Sequence, residues 1–229
     1  MHLMEHFLFF DVMVSMAAFG IGLVLQKKWK SPLLNPLLLS ILATMLVLSL
    51  TGISYQSYYE GAKYIGFLLT PATVCLAIPL YETWSELKVH WRAILAGIGA
   101  GILVSMGCIY GLCVIFRLSY ETFVTLLPKS ITAAIGMDVS AGLGGYAAVT
   151  AAAIIITGIL GNMFAPALCR SAGITEPVAR GIAVGSASHA IGTARAIEMG
   201  RVEGAMSGLA TAVSGVFTAL AAAFFAGLY

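Results

Sequence analysis

Four stretches of this 229-residue chain contain no Asp, Glu, Lys or Arg: residues 31–59, 93–116, 139–169 and 204–229. Each reaches or exceeds the roughly 20 apolar residues that carry an α-helix across a bilayer. In hydrocarbon every backbone N–H and C=O must be paired internally, so such runs are confined to helices or a closed barrel. Strands alternating apolar and polar residues are absent, which argues against the barrel. Charged residues make up 10% of the chain and hydrophobic ones 60%, against about 25% and about 45–50% in an ordinary soluble domain. The expected fold class is an all-α polytopic membrane protein, a single integral membrane domain over residues 1–229 that has the lipid bilayer as its surroundings.

Other classes are disfavoured. A net charge of +2, with basic residues single or in one short cluster, gives no stripe for nucleic acid, and no nucleic-acid partner is expected. Cys75, Cys108, Cys113 and Cys169 fall in apolar segments without CxxC or Cys/His spacing. They read as small core residues rather than metal ligands, and no metal or cofactor is expected. Glu5 and Asp11 stand where a secretory signal would carry Lys or Arg, so the first apolar run is expected to stay as a helix.

Along the chain, residues 6–26 read as the first span. The cluster Lys27, Lys28, Lys30 follows at once and by the positive-inside rule belongs in the cytoplasm, with the N-terminus outside. Asn35-Pro36 is an N-cap followed by proline at the first helical position, opening a second span to about residue 52. Gly52 to Gly61, with three tyrosines and no Lys or Arg, reads as an outer loop. The third element, 63–82, contains Thr70-Pro71 and Pro79, so a broken helix or re-entrant loop is expected. TWSELKVHWR reads as its cytoplasmic exit loop. A plain span follows over 93–116, where Gly97/Gly101 and Gly107/Gly111 form small-xxx-small pairs that let another helix approach closely. Self-association into a homo-oligomer is compatible with such faces.

From Glu121 to Gly145 the pattern breaks again, with a helix expected to begin near Pro128 and unwind by Gly142. Residues 146–169 form a long span, Glu176-Pro177 opens the next element, and 203–228 closes the chain. This makes about eight membrane elements, about three of them broken or re-entrant. Arg170 and Arg180 lie outside if every element spans, and inside if 121–145 is re-entrant. Thr70–Glu82 and Ser186–Glu198 both start from a hydroxyl and end on Glu, which suggests a transporter-type structural repeat.

The most informative stretch is GSASHAIGTARAIE, residues 185–198. Desolvated hydroxyls and imidazoles are costly, so polar residues in such a segment face a bundle interior or a watery cavity and often mark a solute path. Helix starts inside the membrane, after Thr70, after Pro128 and within Gly185–Ser188, present free N–H groups suited to anions. The candidate binding residues are Thr70, Thr73, Lys129, Ser130, Ser186, Ser188, Thr193 and Arg195, and small organic anions are the natural cargo. Lys129 reads equally as a snorkelling residue, and Arg195 as the partner of Glu198 three residues on. Ser186, His189 and Thr193 share one face of an ideal helix, which Arg195 joins only if the helix breaks near Gly192. His189 and Asp138 are candidates for proton coupling, against a packing role and a helix-end role respectively. Adjacent Ser188 and His189 do not make a hydrolase, because neighbours on a helix do not form the required hydrogen bond. No enzymatic activity is expected.

Four pieces, LNPLLLSI at 34–41, TPATVCLAIPLYE at 70–82, LPKSITAAIGMDVSAGLGG at 127–145 and GSASHAIGTARAIE at 185–198, together resemble the LrgB/CidB family over almost the whole chain. The KKWKSPLLNPLL entry and the H-x-x-G-T-A run strengthen the likeness. The resemblance implies a bacterial cytoplasmic-membrane protein, an antiholin-like or autolysis-modulating partner of a small LrgA/CidA-type membrane protein. It also implies transport, since bacterial relatives are linked to pyruvate and a plastid relative to glycolate and glycerate. The residues favour a carrier of small carboxylates, with autolysis control as the alternative.

Overall fold

The computed structural model describes residues 8–29, 34–68, 71, 74, 75 and 77–229, which form helices joined by short turns, with no strand among them. Phe9–Trp29, Leu87–Ile115, Ala147–Ser171 and Arg201–Ala226 are long and apolar enough to cross a membrane, and Pro36–Thr51 is a shorter apolar helix. The protein is a multi-pass membrane protein. Its contacts divide it into two compact units, Met1–Cys75 and Leu76–Tyr229, so the boundary falls inside the expected third element.

In the first unit α1 (Leu8–Trp29), α2 (Pro36–Thr51) and α3 (Tyr55–Phe67) pack together. The Asn35 cap forms as its sequence dictates: Oδ1 accepts from Leu37 N at 2.9 Å and Leu38 N at 3.2 Å. Gly52, at φ 71°, closes α2, a left-handed conformation that glycine adopts without strain. The expected outer loop over 52–61 is instead mostly helix. Ser54 caps it by accepting from Ser57 N, so the segment gains a start signal that its tyrosines and glycine had masked.

The second unit opens with α4 (Ala77–Glu82) and α5 (Trp84–Ile115). The expected exit loop TWSELKVHWR is the first part of α5, whose charges extend a helix rather than end it. Ile94, Ile98, Ile102, Met106, Ile109 and Cys113 recur every third or fourth residue and bury one face of α5 in the core, with Ala205, Met206 and Ala210 of α10 (Arg201–Ala226) in the same cluster. The two helices run in the same direction, since Arg201 pairs with Glu82 at 2.6 Å at one end and Tyr229 donates to the Cys113 carbonyl at the other.

Between them lie two reversals. α6 (Tyr120–Leu126) runs inward from the end where α5 finishes, and its Phe123 ring stacks on Tyr229 at 4.6 Å. Pro128 lacks a donor and cannot continue it, and tight turns carry the chain through Lys129 N to Leu126 O and Ile131 N to Pro128 O. α7 (Ala133–Gly142) then returns: a Cβ on Gly136 would lie 3.3 Å from the Pro128 carbonyl, where eight residues of continuous helix would separate them by about 12 Å. The base is held by Tyr146 N donating to Thr125 Oγ1 at 2.8 Å, and by the Thr150 hydroxyl, 2.9 Å from the Thr125 carbonyl and 2.7 Å from Ser140 Oγ. The helix expected to begin near Pro128 and unwind by Gly142 is α7, which starts at Ala133 and ends at Gly142, and with α6 before Pro128 it forms a re-entrant hairpin over 120–142.

α8 (Ala147–Ser171) crosses back and carries Pro166 within it. α9 (Pro177–Met199) starts on Glu176-Pro177 as expected, but His189 has φ 44° and ψ −145° and breaks it. The arms, 177–188 and 190–199, lie side by side, because a Cβ on Gly192 would sit 3.3 Å from the Val184 carbonyl eight residues back. Both ends of α9 reach the start of α10: Gly181 abuts Glu203 and Gly204 abuts Ile197. This second re-entrant hairpin enters from the end where α5 begins, opposite to the first. The carbonyls released at its tip find side-chain donors, as non-helical backbone at membrane depth requires. Asn162 Nδ2 donates to Ile191 O at 2.9 Å, Thr193 Oγ1 to His189 O at 3.0 Å and Thr211 Oγ1 to Gly185 O at 3.3 Å.

Candidate functional site

The face of α5 beside its core stripe carries Gly97, Gly101, Ser105 and Cys108, and these small residues leave space that no large side chain fills. A cavity of about 690 Å³ runs along this face, flanked by the tip of the first hairpin and the first arm of the second. Its size lies in the range of about 300–1,000 Å³ typical of small-molecule sites. His90 and Glu176 line it at the end where α5 begins. Most of the remaining wall is apolar.

At mid-depth the cavity has a polar waist. Lys129, half-buried, stands on the turn after Pro128, and its Nζ donates to Ser130 Oγ at 3.2 Å. Ser130 Oγ is 2.9 Å from Ser105 Oγ, so α5 fixes the tip of the first hairpin. Ser186 faces the waist from the second hairpin, its hydroxyl donating to the Ile182 carbonyl at 2.7 Å. Its position depends on Gly101, where a Cβ would come within 3.0 Å of Ser186 Oγ. Among the described residues Lys129 has no carboxylate partner within 4.0 Å. An ammonium has three donors, so two remain for a ligand. The arrangement suits a small anion through the charge on Lys129 and the one hydroxyl hydrogen that the Ser105–Ser130 bond does not use, whereas the Ser186 hydrogen is spent on the Ile182 carbonyl.

Of the expected site residues, Lys129, Ser130 and Ser186 come together here, and the others are elsewhere. Ser188 is buried against Gly161 of α8. His189 is buried in the same interface, its Nε2 3.0 Å from the Ile154 carbonyl. A carbonyl only accepts, so this nitrogen carries the proton. Thr193 turns toward α10, with its hydroxyl 2.8 Å from Ser207 Oγ and 3.1 Å from Thr211 Oγ1. Ser186, His189 and Thr193 therefore do not share a face: the break falls at His189, between them, and sends each to a different neighbour. Arg195 pairs with Glu198 at a half-exposed position away from the cavity, since a break at His189 rather than near Gly192 does not swing it toward Ser186. Asp138 is exposed on α7. Thr70 and Thr73 lie outside the described residues.

Ser105 was not among the expected site residues. The signal for it is the stripe Gly97, Gly101, Ser105, four residues apart, which reads as a packing seam until the hydroxyl is noticed. The glycine pairs divide likewise: Gly97 and Gly101 meet Ile182 and Ser186, whereas a Cβ on Gly107 or Gly111 would meet nothing within 4 Å. Among the described residues no group of three His, Cys, Asp or Glu side chains is placed to hold a metal ion.

The sequence pattern of the LrgB-like family matches residues 15–228. The antiholin-like protein LrgB of Bacillus subtilis is 38% identical over 213 residues, covering 93% of this chain and 92% of that protein. The holin-like protein CidB of Staphylococcus epidermidis is 35% identical over 209 residues, 91% of each chain. A holin-like protein CidB of Staphylococcus aureus is 37% identical over 196 residues, 86% of each. No solved structure matches the chain.

Proposed function

We propose, because this chain belongs to the LrgB-like family, that it is a non-enzymatic, holin- or antiholin-like modulator of murein hydrolase activity and autolysis. It sits in a bacterial cytoplasmic membrane and works with a small LrgA/CidA-type membrane protein. The observation that supports this most is the breadth of the likeness, since relatives named holin-like and antiholin-like align over 91–93% of this chain. The test is induction of the protein, with and without such a partner, in a bacterium lacking its own members of the family. Murein hydrolase zymograms and the rate of detergent-induced lysis are the readouts. A lysis rate that changes and depends on the partner is expected, and identical lysis in every background contradicts the reading.

A second reading is favoured by one observation, the Lys129 ammonium with two donors unclaimed among the described residues at the waist of a membrane-embedded cavity. In this reading the chain carries small carboxylates of the pyruvate or glycolate type, and autolysis responds to the altered carboxylate or proton flux. Lys129 neutralises the anion in a medium where an uncompensated charge is costly. Uptake of labelled pyruvate and glycolate into proteoliposomes, with and without the small partner, tests it. Removing one charge-assisted contact costs about 1.5–3 kcal/mol, so Lys129→Gln should lower uptake about tenfold to a hundredfold. Full uptake by a correctly inserted Gln variant removes Lys129 from the site.

A further inference from the structure

The face of α10 turned to the second hairpin is polar near its middle. Ser207, Thr211 and Ser214 recur at intervals of four and three residues, so their hydroxyls stand along one side of the helix. Ser207 and Ser214 are 0% and 1% exposed, and Thr211 is half-buried. The first two of these hydroxyls meet the place where α9 breaks. Thr193 Oγ1 lies 2.8 Å from Ser207 Oγ, 3.1 Å from Thr211 Oγ1 and 3.0 Å from the His189 carbonyl, and Thr211 Oγ1 lies 3.3 Å from the Gly185 carbonyl.

Ser214 stands one turn further along the same face, and among the described residues its Oγ has no hydrogen-bond partner. A serine within a helix can donate to a carbonyl one turn back, as Ser186 does to Ile182. Ser214 does not, although a buried hydroxyl without a partner is costly. The cluster beside it is short of donors and rich in acceptors. Each hydroxyl has one hydrogen and two lone pairs. Thr193 donates to the His189 carbonyl and Thr211 to the Gly185 carbonyl, which leaves Ser207 to donate to Thr193. The oxygens of Ser207, Thr211 and Ser214 then remain open as acceptors. Such a set suits a cation and not an anion.

The backbone adds to this preference. The first arm of α9, 177–188, ends at the break, so the negative end of its dipole lies beside the cluster. Where helices are interrupted at mid-depth, unwound carbonyls and half-helix C-terminal ends serve as ligands of small cations. No carboxylate takes part, since Glu203, one turn before Ser207, pairs with Arg180. Calcium sites draw on carboxylates and transition metals on nitrogen or sulfur as well, so neutral oxygens alone point to a monovalent ion. Lys129 stands on the other side of the first arm, where Ser186 faces the waist while Gly185 is set against Ser207.

We propose that the hydroxyls of Thr193, Ser207, Thr211 and Ser214, with the Gly185 and His189 carbonyls at the break in α9, form a binding site for an alkali cation, sodium or potassium. The site rests on neither functional reading. Under the carrier reading its ion supplies counter-charge to an anion at Lys129.

The test is thermal unfolding of the purified full chain in detergent, with sodium or potassium chloride exchanged for choline chloride at constant total chloride. A ligand that binds only the folded protein raises the unfolding temperature with its concentration, on a scale set by its affinity. Sodium or potassium should do so for the parent relative to choline. Ser214→Ala gives up no hydrogen bond, so it should unfold with the parent in choline, yet it should need about tenfold more cation, or beyond, for the same rise. Ser140→Ala removes a hydroxyl from the separate Thr125 and Thr150 cluster and should keep the parent's cation response whatever its stability in choline. Binding of radiolabelled sodium, displaced by unlabelled sodium or potassium, should weaken in Ser214→Ala by the same factor and does not depend on unfolding. A parent indifferent to both cations, or a Ser214→Ala variant with the parent's affinity, would overturn the site. Equal loss of the response in Ser140→Ala would overturn it too, because the response would then follow stability alone.

Discussion

At the scale of single residues, His189 and Lys129 separate two kinds of intramembrane polarity. Among the described residues Lys129 keeps donors free in a cavity, whereas His189 is buried and turned to structural use, its ring bonded to Ile154 across the α8–α9 contact. The backbone at His189 is the more unusual feature. A φ of 44° with ψ −145° lies in a region that side chains with a Cβ occupy at a cost of about 1–3 kcal/mol and glycine occupies freely. His189→Gly and His189→Ala both lose the ring and its bond, so their difference isolates the backbone. The Gly variant should be the more stable, by about 1–3 kcal/mol, in thermal unfolding of detergent-solubilised protein. In an unbroken helix the order reverses, with Gly about 1 kcal/mol worse than Ala. A more stable Ala variant would therefore contradict the reversal at this residue.

At the scale of elements, starts were legible in the sequence and reversals were not. Asn35-Pro36 and Glu176-Pro177 mark helix starts through local chemistry, a capping oxygen or a missing donor, and the helices begin there. Pro128 was legible as a break, but whether the chain runs on or turns back is decided by partners far along it, chiefly Thr125 meeting Tyr146 and Thr150. The break in α9 carries no proline or glycine at His189 itself, and Gly192 is a contact between arms rather than the break. The site was legible in the same proportion: Lys129, Ser130 and Ser186 come together, while helical spacing through an unseen reversal misplaced His189 and Thr193. Seating of the second hairpin gives a test at this scale. A side chain on Gly161 would collide with Ser188, while one on Gly111 meets open space. Gly161→Leu should lower thermal stability by about 1–3 kcal/mol or more, as overpacking does, with Gly111→Leu within about 0.5 kcal/mol of the parent. Equal stability of the two variants would mean that the second hairpin does not sit against α8.

At the scale of the whole molecule, the hairpins settle which ends of the second unit share a side. Because 120–142 turns back, Arg170 and Arg180 fall at the same end as Lys88, Arg92 and Arg201, with Arg117 at the other. By the positive-inside rule the basic end is then expected on the cytoplasmic side. In a cysteine-free background, Lys88→Cys and Ser171→Cys should be shielded from an impermeant reagent applied outside cells and Ser119→Cys should react. Reaction at Ser171 but not Lys88 would mean that the first hairpin spans after all. If the protein acts on autolysis through the Lys129 waist, as proposed, the decisive experiment compares lysis in cells making the parent or Lys129→Gln at equal membrane levels, with the small partner present. The parent should shift the lysis rate, and the Gln variant should leave it as in cells without the protein. A Gln variant that shifts lysis as fully as the parent would contradict the proposal.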